Sequence, residues 1–227
     1  LASSAARTVE LNERQACDVF CLLSGAFSPL TGFMDGTAYN SVVKGMRLPE
    51  KQLFGLPVTL DLLQVDGLKT ADKLLLKWAG EEVAVLEASS IWQPNKVIEA
   101  KECYGTSSLE HPTGAALVTE IGKNYVGGRI HGLKLPAFKY PVQTPAEVRA
   151  TLPAGKDVVA FQNRNPIHRA HFELLKCAQQ DVKDCILLVH PTCGPTQPGD
   201  IDGVVRISTY EALRKETEKE FPMFRWA

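Results

Sequence analysis

The stretch DVVAFQNRNPIHRAH, residues 157–171, decides the fold of the second half of the chain. It begins with a short apolar run at 157–161, which is typical of a buried strand. A helix is predicted over 165–179, and a second buried strand at 185–189, where the sequence is CILLV. Strand, helix and strand, with continuous apolar strands, predict a parallel sheet that is covered on both faces.

Polar side chains cluster where each of these two strands ends. One cluster occupies residues 162–171, and the other occupies residues 190–200. In open α/β sheets, ligands bind at the carboxyl ends of the strands. We therefore expect the two clusters to form two walls of one binding site.

The first wall has the composition of an anion site. Asn165 is a good N-cap and Pro166 a good first helical residue, so free N–H groups and a favourable helix dipole are predicted there. Arg164 lies just before this cap and can present a planar fork to a tetrahedral oxyanion. Gln162 ends the strand and can reach the same pocket.

Two histidines belong to the same wall. His168 and His171 are three residues apart, so we expect them on one helix face close to the helix start. A single histidine at such a place is more often a surface residue, and Arg169 is expected to be solvated or ion-paired. The convergence of several anion-binding groups on one turn favours a site for the phosphates of a nucleotide.

The second wall is a loop rich in Gly and Pro, HPTCGPTQPGD at residues 190–200. Its position beside the first wall makes His190 a candidate ligand-binding residue. Arg206 and Tyr210 follow, four residues apart on a helix predicted to begin near Asp202. Two interpretations of this pair stay open, namely packing together with a surface charge, or a role in holding the loop.

The first half of the chain has the pattern of a β-rich unit. A helix is predicted over 10–23 because apolar residues recur there at helical spacing. Short apolar runs separated by turn-forming dipeptides predict strands joined by tight turns. These strands are expected at 56–63, 73–78 and 82–86.

A proline-containing segment at 135–141 predicts an extended linker between the two halves. Immediately after it, Thr144 can cap a helix, Pro145 fits the first helical position and Glu147 completes a capping box. We therefore place the domain boundary here, with one domain at 1–140 and another at 141–227.

Composition excludes several classes of function. The 25 basic and 26 acidic residues nearly cancel and form no block of like charge, so no nucleic-acid partner is expected. No apolar run approaches the roughly 20 residues that span a bilayer, and no membrane association is expected. The six cysteines are scattered without a C-x-x-C pair, so neither zinc nor another protein-bound metal is predicted.

Three motifs resemble the ATP sulfurylase family, the sulfate adenylyltransferases, within the His-x-x-His nucleotidylyltransferases. QNRNPIHRAH at 162–171 resembles the family's QxRNPxHRAH signature, and GAFSPLTGFM at 25–34 resembles its GGFSPLxGFM. HPTCGPTQPGD at 190–200 is similar to its HPxxGxTKxGD. The chain departs from the pattern at Asn163, where members often carry Thr or Leu, and at Gln197, which replaces a Lys and removes a charge.

The resemblance implies a mixed α/β protein. A β-rich PUA-like N-terminal domain would be followed by the first part of a Rossmann-like parallel α/β catalytic domain. The implied reaction converts ATP and sulfate to adenosine 5′-phosphosulfate and pyrophosphate, with Mg²⁺ accompanying the ATP. This reaction is the first step of sulfate activation.

The resemblance also implies roles for individual residues. Gln162 and Arg164 would hold sulfate, and His168 and His171 would bind the ATP phosphates. The residues implied to be catalytic are Asn163, Arg164, Asn165, His168 and His171. Those implied to bind substrate are Gln162, Arg164, Asn165, His190 and Gly194.

Other expectations concern the assembly and its surroundings. The family's catalytic domain continues with a Gly-Arg-Asp loop that this sequence does not reach, so we expect a fragment with at most weak ligand binding. A homo-oligomer is expected, and a fusion to an adenylylsulfate kinase domain is left open. The expected compartment is the cytoplasm, or a plastid or other organelle if LASSAAR at 1–7 is the trimmed end of a targeting peptide.

Two alternative functions remain at this point. A different His-x-x-His enzyme would adenylylate or otherwise nucleotidylate phosphopantetheine, nicotinamide mononucleotide or an amino acid instead of sulfate. Arg164 and Gln162, just upstream of the histidines, favour a small tetrahedral oxyanion over those acceptors. The other alternative is a non-catalytic fragment or an RNA-binding module, against which the near-zero net charge argues.

Overall fold

A computed structural model describes residues 4–194, 196, 199–219 and, by their backbone, 224–226. The chain divides into two compact units, Leu1–Pro136 and Ala137–Ala227. The division falls just before the boundary predicted at residue 140. In the described part of the chain, no helix is long and apolar enough to cross a membrane.

Over its described residues, the first unit is a six-stranded mixed sheet with four helices. Its sheet order is β1-β4-β5-β6-β2, with β3 also pairing with β6. β1 pairs with β4 in parallel, and the other pairs are antiparallel. The elements are β1 (Arg7–Glu10), α1 (Glu13–Ser24), β2 (Gly32–Phe33), α2 (Gly36–Gly45), β3 (Leu60–Leu62), β4 (Lys73–Trp78), β5 (Glu81–Trp92), α3 (Lys96–Tyr104), α4 (Pro112–Thr119) and β6 (Asn124–Gly132).

Most predicted elements of this unit are present, with shifted ends. The helix predicted at 10–23 begins at Glu13, because Asn12 and Gln15 form a capping box. The strand predicted at 73–78 is confirmed as β4, and the run at 82–86 lies within the longer β5. The strand predicted at 56–63 is wrong over most of its length, since only β3 forms. Pro57 lacks the N–H that a strand position there would donate.

The motif at 25–34 brings β2 unusually close to β6. A Cβ on Gly32 would collide with the carbonyl oxygen of Gly128, and a Cβ on Gly127 would collide with the carbonyl of Met34. Backbone therefore packs directly on backbone, which only glycine permits at these positions. This close packing explains the glycine before Phe33 in the motif without any ligand.

The described part of the second unit forms a three-stranded parallel sheet in the order β7-β8-β9. Its first helix is capped as predicted, because Thr144 and Glu147 form a capping box and Pro145 is the first helical residue. The elements are α5 (Pro145–Thr151), β7 (Val158–Asn163), α6 (Arg169–Asp181), β8 (Ile186–Pro191), α7 (Gly203–Thr217) and β9 (Phe224–Trp226).

Both crossover helices contribute to the same apolar cluster on one face of this sheet. Leu175 from α6 and Tyr210 from α7 pack there with Leu187 and Val189 of β8. On the opposite face of β7, Val158 is 42% exposed. The expectation of two covered faces is therefore wrong for β7, because both helices lie on the same face.

Candidate functional site

The two polar clusters meet at the carboxyl edge of the parallel sheet. β7 and β8 pair so that Gln162 lies beside His190 and Asn163 beside Pro191. The pairing continues beyond the strands, since the Thr192 N–H donates to the Asn163 carbonyl at 2.9 Å. The Gln162 side-chain amide donates to the Thr192 hydroxyl at 3.2 Å. The predicted juxtaposition of the two walls is confirmed.

The side chain of Asn163 organises the turn after β7. Its Oδ1 accepts a hydrogen bond from the Asn165 N–H at 3.1 Å, and its Nδ2 donates to the Asn165 carbonyl at 3.0 Å. The same Nδ2 lies 3.2 Å from Nδ1 of His171. One amide therefore fixes both the backbone of the turn and the orientation of a histidine ring.

The helix start differs from the prediction. α6 begins at Arg169 with His168 as an extended N-cap, and Asn165 is not the cap. An N-cap carbonyl accepts the first helical hydrogen bond. The Asn165 carbonyl already accepts from the Asn163 side-chain amide and, at 2.7 Å, from the Tyr210 hydroxyl. The His168 carbonyl accepts the first helical bond instead. The first three helical N–H groups consequently have no partner within the helix.

The two histidines lie against each other at this helix start. Their rings stack with centroids 3.7 Å apart and an interplanar angle of 24°. Burial lowers the pKa of His171, and the charge of His168 lowers it further, while the Pro166 carbonyl acts in the opposite direction. Burial and the charge of His168 therefore favour the neutral form of the His171 ring. The Asn163 amide can donate to Nδ1 in the tautomer whose proton lies on Nε2.

Arg164 connects the first wall to the second. Its Nη1 lies 3.5 Å from Oδ2 of Asp200, in the loop after β8. The Arg164 side chain is 42% exposed. A guanidinium carries five donors, so this ion pair leaves donors of Arg164 for a second anionic partner.

The remaining predicted site residues lie on the same edge. Gln162, Asn165 and His190 are exposed, and Gly194 is half-buried in the second loop. Arg169 is exposed at the first position of α6, in agreement with its predicted solvation. Gln197 lies outside the described residues.

Helix α7 resolves the two interpretations of Arg206 and Tyr210. Both side chains are buried, with Arg206 1% exposed and Tyr210 2% exposed. Arg206 donates to the carbonyl of Thr192, and Tyr210 donates to the carbonyl of Asn165. A surface charge is therefore wrong for Arg206, and both residues hold loop backbone. Sequence reasoning missed Thr192, although its position directly after β8 was a signal.

The chemistry of this edge suits adjacent anions. Helix N–H groups and two imidazoles lie on the first wall, and the Arg164 guanidinium lies between the walls. Such donors bind phosphate, sulfate or carboxylate without a proton transfer.

Comparisons with known proteins give a consistent result. The family model described as "PUA-like domain" matches residues 2–135, and the one described as "ATP-sulfurylase" matches residues 140–225. The sulfate adenylyltransferase of Yarrowia lipolytica is 40% identical over 223 residues, which are 91% of this chain and 38% of that protein. The sulfate adenylyltransferase of Schizosaccharomyces pombe is 37% identical over 225 residues, or 93% of this chain and 45% of that protein.

A solved structure supports the fold. A chain described as "Hexameric APS kinase from Thiobacillus denitrificans" aligns with a TM-score of 0.77 at 23% identity, covering 100% of this chain and 41% of that one. The chain thus spans only about two fifths of the proteins that it matches. The mixed α/β fold, with a PUA-like unit followed by a Rossmann-like part, is confirmed. The chain belongs to the ATP sulfurylase family, with a PUA-like domain at residues 2–135 and the matching part of the ATP-sulfurylase domain at residues 140–225.

Proposed function

We propose that this chain supplies the anion-binding edge of a sulfate adenylyltransferase, which converts ATP and sulfate to adenosine 5′-phosphosulfate and pyrophosphate. The observation that carries the proposal is the stacked pair of His168 and His171 at the start of α6, in the same loop region as Arg164, which pairs with Asp200 of the second loop. The donors of the first loop lie at the carboxyl edge of the sheet, beside the second loop. The sulfate adenylyltransferases that align with 37% to 40% identity support the choice of acceptor.

The reaction needs positioning more than proton transfer. Sulfate is fully ionised at neutral pH, so a sulfate oxygen attacks the α-phosphorus of ATP directly. The bond from the α-phosphorus to the bridging oxygen breaks, and pyrophosphate leaves with that electron pair. Bringing two anions together in line supplies up to about 7–11 kcal/mol of the barrier reduction.

Each donor then has a proposed task. Gln162 and Arg164 hold sulfate, and Asn163 and Asn165 shape the turn that contacts the nucleotide. His168 and His171 bind the ATP phosphates and stabilise the charge that develops on the leaving pyrophosphate. On the second wall, His190 and the backbone around Gly194 contact the nucleotide.

Mg²⁺ enters this proposal as part of the nucleotide substrate. In the described part of the chain, no group of three or more His, Cys, Asp or Glu side chains could hold a metal ion. Mg²⁺ is commonly bound by substrate phosphates, waters and one or two carboxylates. Asp200, which pairs with Arg164 at this edge, fits the single carboxylate of such a set. The ion would neutralise phosphate charge in MgATP.

The assembly around the chain is also proposed. We propose a homo-oligomer, which the hexameric state named for the Thiobacillus denitrificans protein supports. A cytoplasmic or organellar location and a fused adenylylsulfate kinase domain remain proposals as well. Analytical ultracentrifugation of the protein that carries this segment would show a single monomeric species if the oligomer proposal fails.

An acceptor comparison tests the proposed activity. An enzyme that contains these residues is given ATP and labelled pyrophosphate, and exchange of label into ATP is measured with sulfate, phosphopantetheine, nicotinamide mononucleotide or an amino acid present. We expect label to enter ATP only when sulfate is present. Exchange with one of the other acceptors and none with sulfate would reject the proposal in favour of a different His-x-x-His enzyme.

A further inference from the structure

One helix holds both walls of the site. Arg206 and Tyr210 lie four residues apart on α7, and therefore on one face of the helix. The Arg206 guanidinium donates to the Thr192 carbonyl and, at 2.6 Å, to the Ile201 carbonyl in the second loop. The Tyr210 hydroxyl donates to the Asn165 carbonyl in the first loop at 2.7 Å. α7 is thus a rigid connection between the two loops.

The contact of α7 with the second loop is close at its first turn. A Cβ on Gly203 would collide with the carbonyl oxygen of Cys193. Asp202 caps the helix by accepting from the Val204 N–H at 2.9 Å. The helix start is therefore seated directly on the loop backbone, which limits how far that loop can move from α7.

Among the described residues, no carboxylate neutralises the charge of Arg206. The side chain is 1% exposed, and its acceptors are two carbonyls and, at 3.5 Å, the Thr196 hydroxyl. No carboxylate within the described ranges forms an ion pair with it, and its buried Nε has no hydrogen-bond partner there. A buried cation without a counter-ion is costly, and the cost falls when an anion binds nearby.

Thr192 links this cation to the ligand edge. Its carbonyl accepts from Arg206, and its hydroxyl accepts from the Gln162 side chain at 3.2 Å. Its N–H donates to the Asn163 carbonyl. A displacement of Thr192 would therefore disturb both the Gln162 side chain and the end of β7.

We propose that Arg206 and Tyr210 are positioning residues that fix the spacing of the two anion-binding walls, and that the bound anion balances the charge of Arg206. This inference rests on the proposed function for the identity of the anion. Neither residue is proposed to touch substrate. Arg206 acts through Thr192, and Tyr210 acts through Asn165.

The test compares three variants with a matched control. Arg206→Met removes the charge and its bonds, Arg206→Lys keeps the charge but loses the planar fork, and Tyr210→Phe removes one hydroxyl. Arg214→Met is the control, because Arg214 lies on the same helix and pairs with Glu211 at the surface. Circular dichroism and thermal melting establish which variants fold.

The first readout is the amide hydrogen exchange of the ligand-free chain. Tyr210→Phe is expected to speed exchange of the Asn165 amide, and Arg206→Lys that of the Thr192 amide, by about threefold or more. The control should leave both rates unchanged. Unchanged rates in these two folded variants would overturn the positioning role, whatever ligand the site binds.

The second readout is the dissociation constant for inorganic pyrophosphate, measured by calorimetry on an enzyme that contains this segment. Arg206→Met is expected to weaken binding by about tenfold or more, and Arg206→Lys by less, since a charge-assisted interaction is lost only in the first. Equal weakening by Met and Lys would overturn the charge-balancing part. If the unmodified enzyme that contains this segment binds no pyrophosphate, the proposed function fails and the charge-balancing part with it, while the exchange rates still decide the positioning role.

Discussion

The substitution Asn163→Asp places a charge at the centre of the candidate site without removing the turn. An aspartate can still accept from the Asn165 N–H, as the Oδ1 of Asn163 does at 3.1 Å. It replaces the Nδ2 donor that lies 3.2 Å from Nδ1 of His171 with a carboxylate oxygen. That oxygen favours a proton on Nδ1 and therefore the charged imidazole.

The size of the effect follows from the geometry. Two unit charges about 4 Å apart interact by about 1 kcal/mol in water and about 4 kcal/mol at an effective dielectric constant of 20. His171 is partly exposed, so the lower part of this range applies, and we expect the pKa of His171 to rise by about one unit. In the unmodified chain, burial and His168 keep that pKa below its ordinary value.

The assay is a pH titration of the His171 ring followed by NMR. The control is Asn95→Asp, the same substitution at the N-cap of α3, where the side chain accepts from the Ile98 N–H and aspartate is an equally good cap. The control should not change the titration of His171. The contact assigned to Asn163 is refuted if Asn163→Asp leaves the pKa of His171 at or below its original value. The same variant should bind pyrophosphate more weakly, because it adds a negative charge to an anion site.

Three further predictions concern the PUA-like unit. Burial raises the pKa of Asp18 to about 6, so the folded state binds a proton that the unfolded state has lost. The unit should therefore lose stability as pH rises from about 4 to about 6. Urea denaturation should show no such loss in Asp18→Asn, and a variant whose unfolding free energy depends on pH as in the unmodified chain would contradict this. Gly32→Ala should destabilise the unit by about 2 kcal/mol or more, because its Cβ meets the Gly128 carbonyl, and a melting temperature equal to that of the unmodified chain would be incompatible with this contact. Tyr39→Phe removes a 2.8 Å hydrogen bond to the buried Glu99 and should cost about 1–3 kcal/mol in the free energy of unfolding, whereas no change would mean that this bond contributes little.

Local sequence signals predicted the parts of the fold that local chemistry determines. The capping box at Thr144 and the strand at 73–78 follow from neighbouring residues alone, and both are confirmed. The meeting of the two polar clusters follows from the rule that parallel strands end at the same edge. These predictions required no knowledge of distant contacts.

The predictions that failed depend on competition between contacts. Asn165 has the sequence of an N-cap, but the Asn163 side chain and the Tyr210 hydroxyl, 45 residues away, take its carbonyl. The sequence leaves open whether Arg206 is a surface charge or holds the loop, because it does not reveal which loop carbonyls a buried arginine would contact. The roles of the site residues, the domain bounds and the compartment stay predictions.

The most direct test of the central claim is the turnover number of His168→Ala in an enzyme that contains this segment, measured as sulfate-dependent release of pyrophosphate. His168 stacks on His171 at the start of α6, where we place the phosphates of ATP. We predict that turnover falls by about 100-fold or more while circular dichroism and melting temperature are preserved. An unchanged turnover number in a folded variant would contradict this role and return His168 to the status of a surface residue.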